Sequence, residues 1–199
     1  MLNQIDVLTL VRDFSYQNSE KDDIHGFAHV ERVFKTCIEI GIKLNANIFL
    51  LKISSLLHDV GRKKQNNYLG TKNHANFSAE MSIKFLKTLD YEFSKDDLEN
   101  ISNSIRAHSF SNDVVPKTLE AQILSDADKL DALGAIGLYR TIAYSLKFNG
   151  GIKRVMIHLE NKILRLRDKL CLDLSKKIAI EKHKLVLSFY EGIKNEICV

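Results

Sequence analysis

The chain has no tryptophan, a single proline and only nine glycines in 199 residues. So little turn-forming material excludes an all-β sandwich or barrel, whose many short strands need Gly and Pro at regular intervals. Its three cysteines, Cys37, Cys171 and Cys198, are odd in number, widely spaced and without a Cys-x-x-Cys pair. That argues against a disulfide framework and fits a reducing compartment, so the expected location is the cytoplasm. No stretch reaches the roughly 20 apolar residues needed to span a bilayer. The start, Met1-Leu-Asn-Gln-Ile-Asp, has neither the basic nor the apolar segment of a signal peptide. Strong charge is lacking too. A formal net charge of +4 is too mild for a nucleic-acid coat, and there is no basic stripe interleaved with aromatics. It does favour small anionic substrates.

What the chain has is helical periodicity. Apolar residues make up 45% and charged residues 27%, the balance of a soluble globular protein with a sizeable core. A first amphipathic helix is predicted over 4–17, with Ile5, Leu8, Leu10, Val11 and Phe14 as its apolar side. A second carries Val30, Val33, Phe34, Cys37, Ile38, Gly41 and Leu44 at three- and four-residue steps. The third, 47–60, sets Ile48, Leu51, Ser55 and His58 on one seam, with Gly61 as a left-handed stop and Arg62-Lys63-Lys64 facing its negative end. A polar loop from Asn66 to Asn73 precedes a helix from about His74 to Thr88. Ser94-Lys-Asp-Asp97 reads as a capping box that starts a helix through Leu98, Ile101, Ile105 and His108. Leu119 to Lys147 is helical, with Gly134 and Gly137 marking close packing or a break. Two further helices, 152–170 and 174–197, complete the chain, the last with a seam of Ile178, Leu185, Phe189 and Ile193. The expectation is an all-α fold: a helical core over 1–148, a boundary at Asn149-Gly150-Gly151, and C-terminal helices over 149–199 packing on the same domain.

One polar group recurs on these apolar faces. His58-Asp59 ends an apolar run, His29 lies upstream with Arg32 three residues on, His74 and His108 follow, and Asp126-Ala-Asp128-Lys129-Leu-Asp131 closes the series. A single His on a helix seam is an ordinary core residue, and a lone Asp an ordinary surface one. Their joint occurrence on apolar-patterned helices points to a shared cation, because a buried Asp is costly without one. His29, His58, Asp59 and Asp128 would supply two imidazoles and two carboxylates to a divalent ion, with room left for water and substrate. Arg32, Arg62 and Lys129 stand beside these positions and could hold phosphate oxygens, the arginines as forks and the lysine as a point charge.

This pattern, His29…His58-Asp59…Asp128, resembles the His…His-Asp…Asp signature of the HD-domain superfamily of metal-dependent phosphohydrolases. The stretches 25–33, 56–59, 105–111 and 118–137 are similar to its small bacterial predicted-hydrolase group, as are His158-Leu-Glu-Asn-Lys-Ile-Leu-Arg-Leu and Ile180-Glu-Lys-His183 near the C-terminus. The resemblance implies a helical domain in which His29, His58, Asp59 and Asp128 ligate the metal and Lys129 faces substrate phosphate. It places the ligand immediately before the basic residue, hence Asp128 rather than Asp126; Asp126 and Asp131 become supporting residues or helix caps. It also implies a catalytic neighbourhood of Asp59, Arg62, His74 and His108. Two departures stand out. Gly26 replaces an Asp common after the first His of the 25–29 motif, and Arg62 stands where many nucleotide-cleaving relatives carry an acid. A carboxylate base at 62 is therefore excluded. His74 and His108 fall where two-metal members place extra ligands; they either bind a second ion or grip phosphate as imidazolium donors.

The expected function is hydrolysis of a phosphoester or phosphoanhydride of a small molecule, a nucleotide above all, with one or two divalent ions drawn from Mn, Fe, Co, Ni and Mg. The competing readings are a phosphodiesterase for cyclic or linear dinucleotides and a non-catalytic nucleotide-binding module. Against the first, the Gly-Tyr-Pro element of one HD phosphodiesterase class is missing, the only proline being Pro116. Against the second, the ligand set is complete. Membrane and nucleic-acid partners are not expected, and a homodimer is compatible with the sequence.

Overall fold

The computed structural model describes residues 1–66 and 73–197. Among these every regular element is helical, apart from one isolated bridge between Glu20 and Gly26. The fold is all-α, as the periodicity predicts. None of the described helices is long and apolar enough to cross a membrane. The chain forms two compact units, Met1–Ala127 and Asp128–Val199.

The first unit contains α1 (Gln4–Asn18), α2 (Phe27–Lys43), α3 (Ile48–Leu57), α4 (Arg62–Asn66), α5 (His74–Leu86), α6 (Lys95–Ala107) and most of α7 (Leu119–Asp131). Its axis is α3, which packs against α1, α2, α5 and α6. That position explains its composition: Leu50, Leu51, Ile53, Ser54, Ser55, Leu56 and Leu57 are all buried, as expected of a helix apolar on every side. Val7 and Val11 of α1, Val30 of α2, Ala79 and Leu86 of α5, and Ile101 and Ile105 of α6 close the core around it.

Side-chain caps fix where the helices begin. Asn3 with Asp6 and Ser94 with Asp97 form capping boxes, while Asn47 and Asn73 cap α3 and α5. Glu120, in the long 118–137 motif, is structural. Its Oε1 accepts the Asn47 backbone N–H at 2.8 Å and its Oε2 the Asn100 amide at 2.9 Å, tying the entry of α3 to α6.

Several sequence expectations are corrected here. In α1 the buried face is Val7, Val11 and Ser15, and Ile5 is 76% exposed. Ser15 takes a core position because its hydroxyl donates to the Leu56 carbonyl. Helix α3 ends at Leu57, and Gly61 is not left-handed: its role is close approach, developed in the Discussion. Arg62-Lys63-Lys64 opens the short helix α4 rather than trailing off α3. The loop predicted between Asn66 and Asn73 lies almost wholly outside the described residues.

The second unit starts with the last turn of α7 and holds α8 (Gly134–Lys147), α9 (Ile152–Asn161), two 3₁₀ turns (Ile163–Arg165 and Arg167–Lys169) and α10 (Asp173–Ile197). The predicted glycine break is real. Gly134 has φ of 74°, a left-handed value that separates α7 from α8. Between 152 and 170 the helix covers only α9, and the 3₁₀ turns follow. The seam predicted for α10 is also displaced. The buried residues are Ser175, Ala179 and Val186, whereas Ile178 and Leu185 are 37% and 46% exposed. Small side chains line the close approach, which a hydrophobicity pattern does not detect. Cys37 is buried in α2 and Cys171 exposed, neither joined in a disulfide; Cys198 lies outside the described residues.

One pH prediction belongs to this unit. The His158 ring lies 5.8 Å from that of Tyr144, and burial, then Lys162 and Arg154, push its pKa below the ordinary 6.5. A depressed pKa means that the folded form resists protonation. The associated stability is therefore complete above about pH 6.5 and lost as pH falls through the folded value. An NMR titration should place His158 below 6.5, and Lys162→Met should move it upward. A midpoint at or above 6.5 would contradict the reading.

Candidate metal centre

Four helix ends deliver the candidate residues. His58 and His108 are the C-caps of α3 and α6, His74 is the first residue of α5, and His29 lies in the first turn of α2. Helix ends are where polar side chains can be fixed by spare backbone groups, and two of these imidazoles use that. His58 Nδ1 lies 2.7 Å from the Ser55 carbonyl and His108 Nδ1 2.6 Å from the Ile105 carbonyl. A carbonyl only accepts, so Nδ1 carries the proton in both rings, and in the neutral ring Nε2 presents a lone pair. The same second partner orients histidines that bind metals.

The four Nε2 atoms meet around Asp59. His29 and His58 approach each other at 3.2 Å and lie 3.7 and 3.8 Å from Asp59 Oδ2. His74 and His108 approach at 3.3 Å and lie 3.4 and 3.5 Å from Oδ1. One carboxylate is thus flanked by two imidazole pairs, one on each oxygen, and all five side chains are buried. His58, Asp59 and His108 each offer a donor atom within 4.8 Å of the others, a spacing able to hold a metal ion. Imidazole nitrogen with carboxylate oxygen is the donor mixture that first-row divalent ions accept. The residues fit the group.

Arg62 completes the arrangement. Its Nε donates to Asp59 Oδ2 at 2.9 Å, and its Nη2 donates to Oδ1 at 3.0 Å and to His74 Nε2 at 3.1 Å. Burial alone would raise the Asp59 pKa. Arg62 first, then His58, a hydrogen bond from His108, and His74, outweigh burial and hold the carboxyl well below its usual range.

Residues that pattern reading missed hold the cluster in shape. The Asn73 amide donates to the Ser111 carbonyl and hydroxyl at 3.2 and 2.9 Å, the Asn76 amide to Asn112 Oδ1 at 3.2 Å, and Asn112 to the Arg106 carbonyl at 2.8 Å. These bonds clamp the start of α5, with His74, onto the loop that follows His108. Ser125 on α7 donates to the Ala107 carbonyl at 3.1 Å, beside His108. The signal for them was the run of Asn and Ser beside His74 and after His108. Gly26 also gains a reason. A Cβ there would lie 2.0 Å from the Asp22 carbonyl oxygen, so this backbone has no room for the Asp common in relatives.

The first unit therefore brings together His29, His58, Asp59, Arg62, His74 and His108. Arg32 is half-buried on α2, one turn beyond His29, and Asp126 is buried on α7. Asp128, Lys129 and Asp131 form the last turn of α7 and belong to the second unit, where Asp131 pairs with Arg140 at 2.6 Å.

An all-helical frame that gathers His and Asp at its helix ends is the architecture of one known class. The HD domain model matches residues 26–133, more than half of the chain, and the chain belongs to the HD-domain family. Bacillus subtilis YpgQ is 25% identical over 181 residues, covering 87% of this chain and 84% of that protein. The crystal structure of YpgQ in complex with ADP superposes with a TM-score of 0.77 at 22% identity, covering 98% of this chain and 97% of that one. A Lactobacillus plantarum protein gives a TM-score of 0.81 at 25% identity, covering 100% and 99%. An HD-superfamily hydrolase from Bacillus thuringiensis gives 0.72 at 24%, covering 99% and 100%. The fold is that of HD-superfamily hydrolases.

Proposed function

We propose that the chain is a metal-dependent phosphohydrolase that cleaves a phosphoester or phosphoanhydride of a small molecule, with a nucleotide as the substrate class. The observation that carries this reading is Asp59, buried between two imidazole pairs, with Nδ1 of His58 and His108 tied to backbone carbonyls so that Nε2 faces it. Membership of the HD family supports hydrolysis, and the ADP held by YpgQ supports a nucleotide.

His29, His58, Asp59 and Asp128 are the proposed ligands. Asp128 is chosen over Asp126 because the resemblance places the ligand immediately before the basic residue, here Lys129. A divalent ion held by this set acidifies bound water and neutralises phosphate charge. Arg32, Arg62 and Lys129 are assigned to phosphate oxygens, Arg62 as a positive charge whose fork is engaged on Asp59. His74 and His108 face the same phosphate or a second ion. No carboxylate stands at position 62, so the proton of the attacking water is taken elsewhere.

The test is turnover of nucleotides, dinucleotides and generic phosphoesters with Mn, Fe, Co, Ni or Mg. Release of phosphate or pyrophosphate from nucleoside di- or triphosphates is expected. Turnover of bis-phosphodiesters alone would replace this reading with the dinucleotide phosphodiesterase, and metal binding without any turnover would replace it with a binding module.

A further inference from the structure

We propose that Arg62 is a built-in cation that holds the place of a second metal ion: while its guanidinium lies between Asp59 and His74 the pocket takes one ion, and a second enters only after Arg62 has left. This rests on the functional reading above and adds the number of ions and what controls it.

The argument is one of donors and acceptors. Asp59 Oδ1, His74 Nε2 and His108 Nε2 converge at 3.3 to 3.5 Å from one another. Oδ1 is a carboxylate oxygen. His108 Nδ1 is committed to the Ile105 carbonyl, so Nε2 is the nitrogen its ring turns inward. A guanidinium only donates, so His74 Nε2, 3.1 Å from Arg62 Nη2, is an acceptor as well. Two acceptors this close repel unless a positive group stands between them, and Arg62 Nη2 contacts both, Oδ1 at 3.0 Å and His74 Nε2 at 3.1 Å. A metal ion taking these donors needs the same lone pairs that Arg62 uses, and it repels the guanidinium. The two are alternatives. On the opposite side Arg62 Nε donates to Oδ2 at 2.9 Å, but a carboxylate oxygen has more than one lone pair to give. A first ion can therefore take His29, His58 and Oδ2 while Arg62 stays. The imidazole His74 Nε2 has a single lone pair, and Arg62 uses it. Arg62 is 21% exposed and opens α4, so its head group can turn toward solvent without unfolding a helix.

The experiment counts ions on the metal-stripped full chain by calorimetric titration with Mn²⁺, with the free ion followed by electron paramagnetic resonance. Wild type should take one Mn²⁺ tightly. Arg62→Ala should take two, the second binding roughly tenfold tighter than in wild type, the worth of one lost charge-assisted hydrogen bond. Arg62→Met, which keeps the aliphatic stem, should match the alanine variant and decides the matter if circular dichroism finds the latter unfolded. Arg62→Lys, which restores a positive charge, should return the count to one. Equal counts in wild type and both neutral variants would overturn the inference and leave the hydrolase reading standing. Absence of any bound ion in wild type would overturn both.

Discussion

Asp59→Ala should lower turnover by a thousandfold or more and strip the chain of its divalent ion, while the far-UV circular dichroism of the metal-free protein stays close to wild type. The size follows from position. Asp59 faces all four imidazoles, with His29 and His58 on Oδ2 and His74 and His108 on Oδ1. Its removal takes a donor from both pairs at once. A metal ion contributes several kcal/mol to phosphate cleavage, and at about 1.4 kcal/mol per factor of ten that is about three orders of magnitude. The fold should survive because the apolar core around α3 is separate from the carboxylate. The orphaned guanidinium of Arg62 is also partly exposed and can turn to water instead of remaining buried and unpaired. Asp59→Asn separates charge from shape. It keeps the volume but sets an amide donor against a guanidinium donor, so it should lose the ion as well. Elemental analysis together with a phosphate-release assay checks both variants, and full activity in either would remove Asp59 from the site.

How much of this was legible in the chain depends on which physics carried the signal. The helices were legible because they are amphipathic and capped by local chemistry, as Ser94 and Asp97 illustrate. The gathering of His29, His58, Asp59, His74 and His108 was legible because each stands next to an apolar seam that had to face inward. Side-chain partnerships were not legible. Arg62 reads from sequence as a helix terminus or a phosphate grip, and its fork onto Asp59 exists only once α3 stops at Leu57 and the turn through 58–61 brings residue 62 back over the carboxylate. Seams lined by small residues were misplaced for a related reason. Ser15 in α1 and Ser175 with Ala179 in α10 hold buried positions that a hydrophobicity pattern assigns to larger neighbours. Close approach of backbones is a property of two segments, and one segment's pattern does not contain it.

Gly61→Ala is the substitution for which that distinction has the largest consequence for stability. Gly61 is buried, and its backbone N–H donates to the Ser78 hydroxyl at 2.9 Å. A Cβ on it would lie 2.3 Å from the Ser78 backbone nitrogen, 2.6 Å from the Phe77 carbonyl carbon and 2.8 Å from the Phe77 Cβ. The cause is steric and not dihedral, since Gly134 is the glycine with positive φ among the described residues. Two of those three atoms are backbone, so no rotamer change relieves the contact, and α5 must move as a body. Overpacking of a tight core costs about 1–3 kcal/mol, and a clash against backbone belongs at the upper end. At roughly 2–4 °C per kcal/mol for a chain of this size, the unfolding midpoint should fall by about 6–12 °C. The displacement has a second effect, because α5 begins at His74, three residues before Phe77. Pushing α5 outward draws His74 away from Asp59, so the folded fraction of Gly61→Ala should also bind Mn²⁺ more weakly than wild type. Gly192→Ala is the control: a Cβ there meets nothing within 4 Å, and alanine is favoured over glycine inside a helix by about 1 kcal/mol. That variant should unfold at or slightly above the wild-type temperature with unchanged Mn²⁺ affinity. If Gly61→Ala behaved in the same way, the close packing of the His58–Gly61 turn on α5 would be wrong, and with it the reason that His74 lies beside Asp59.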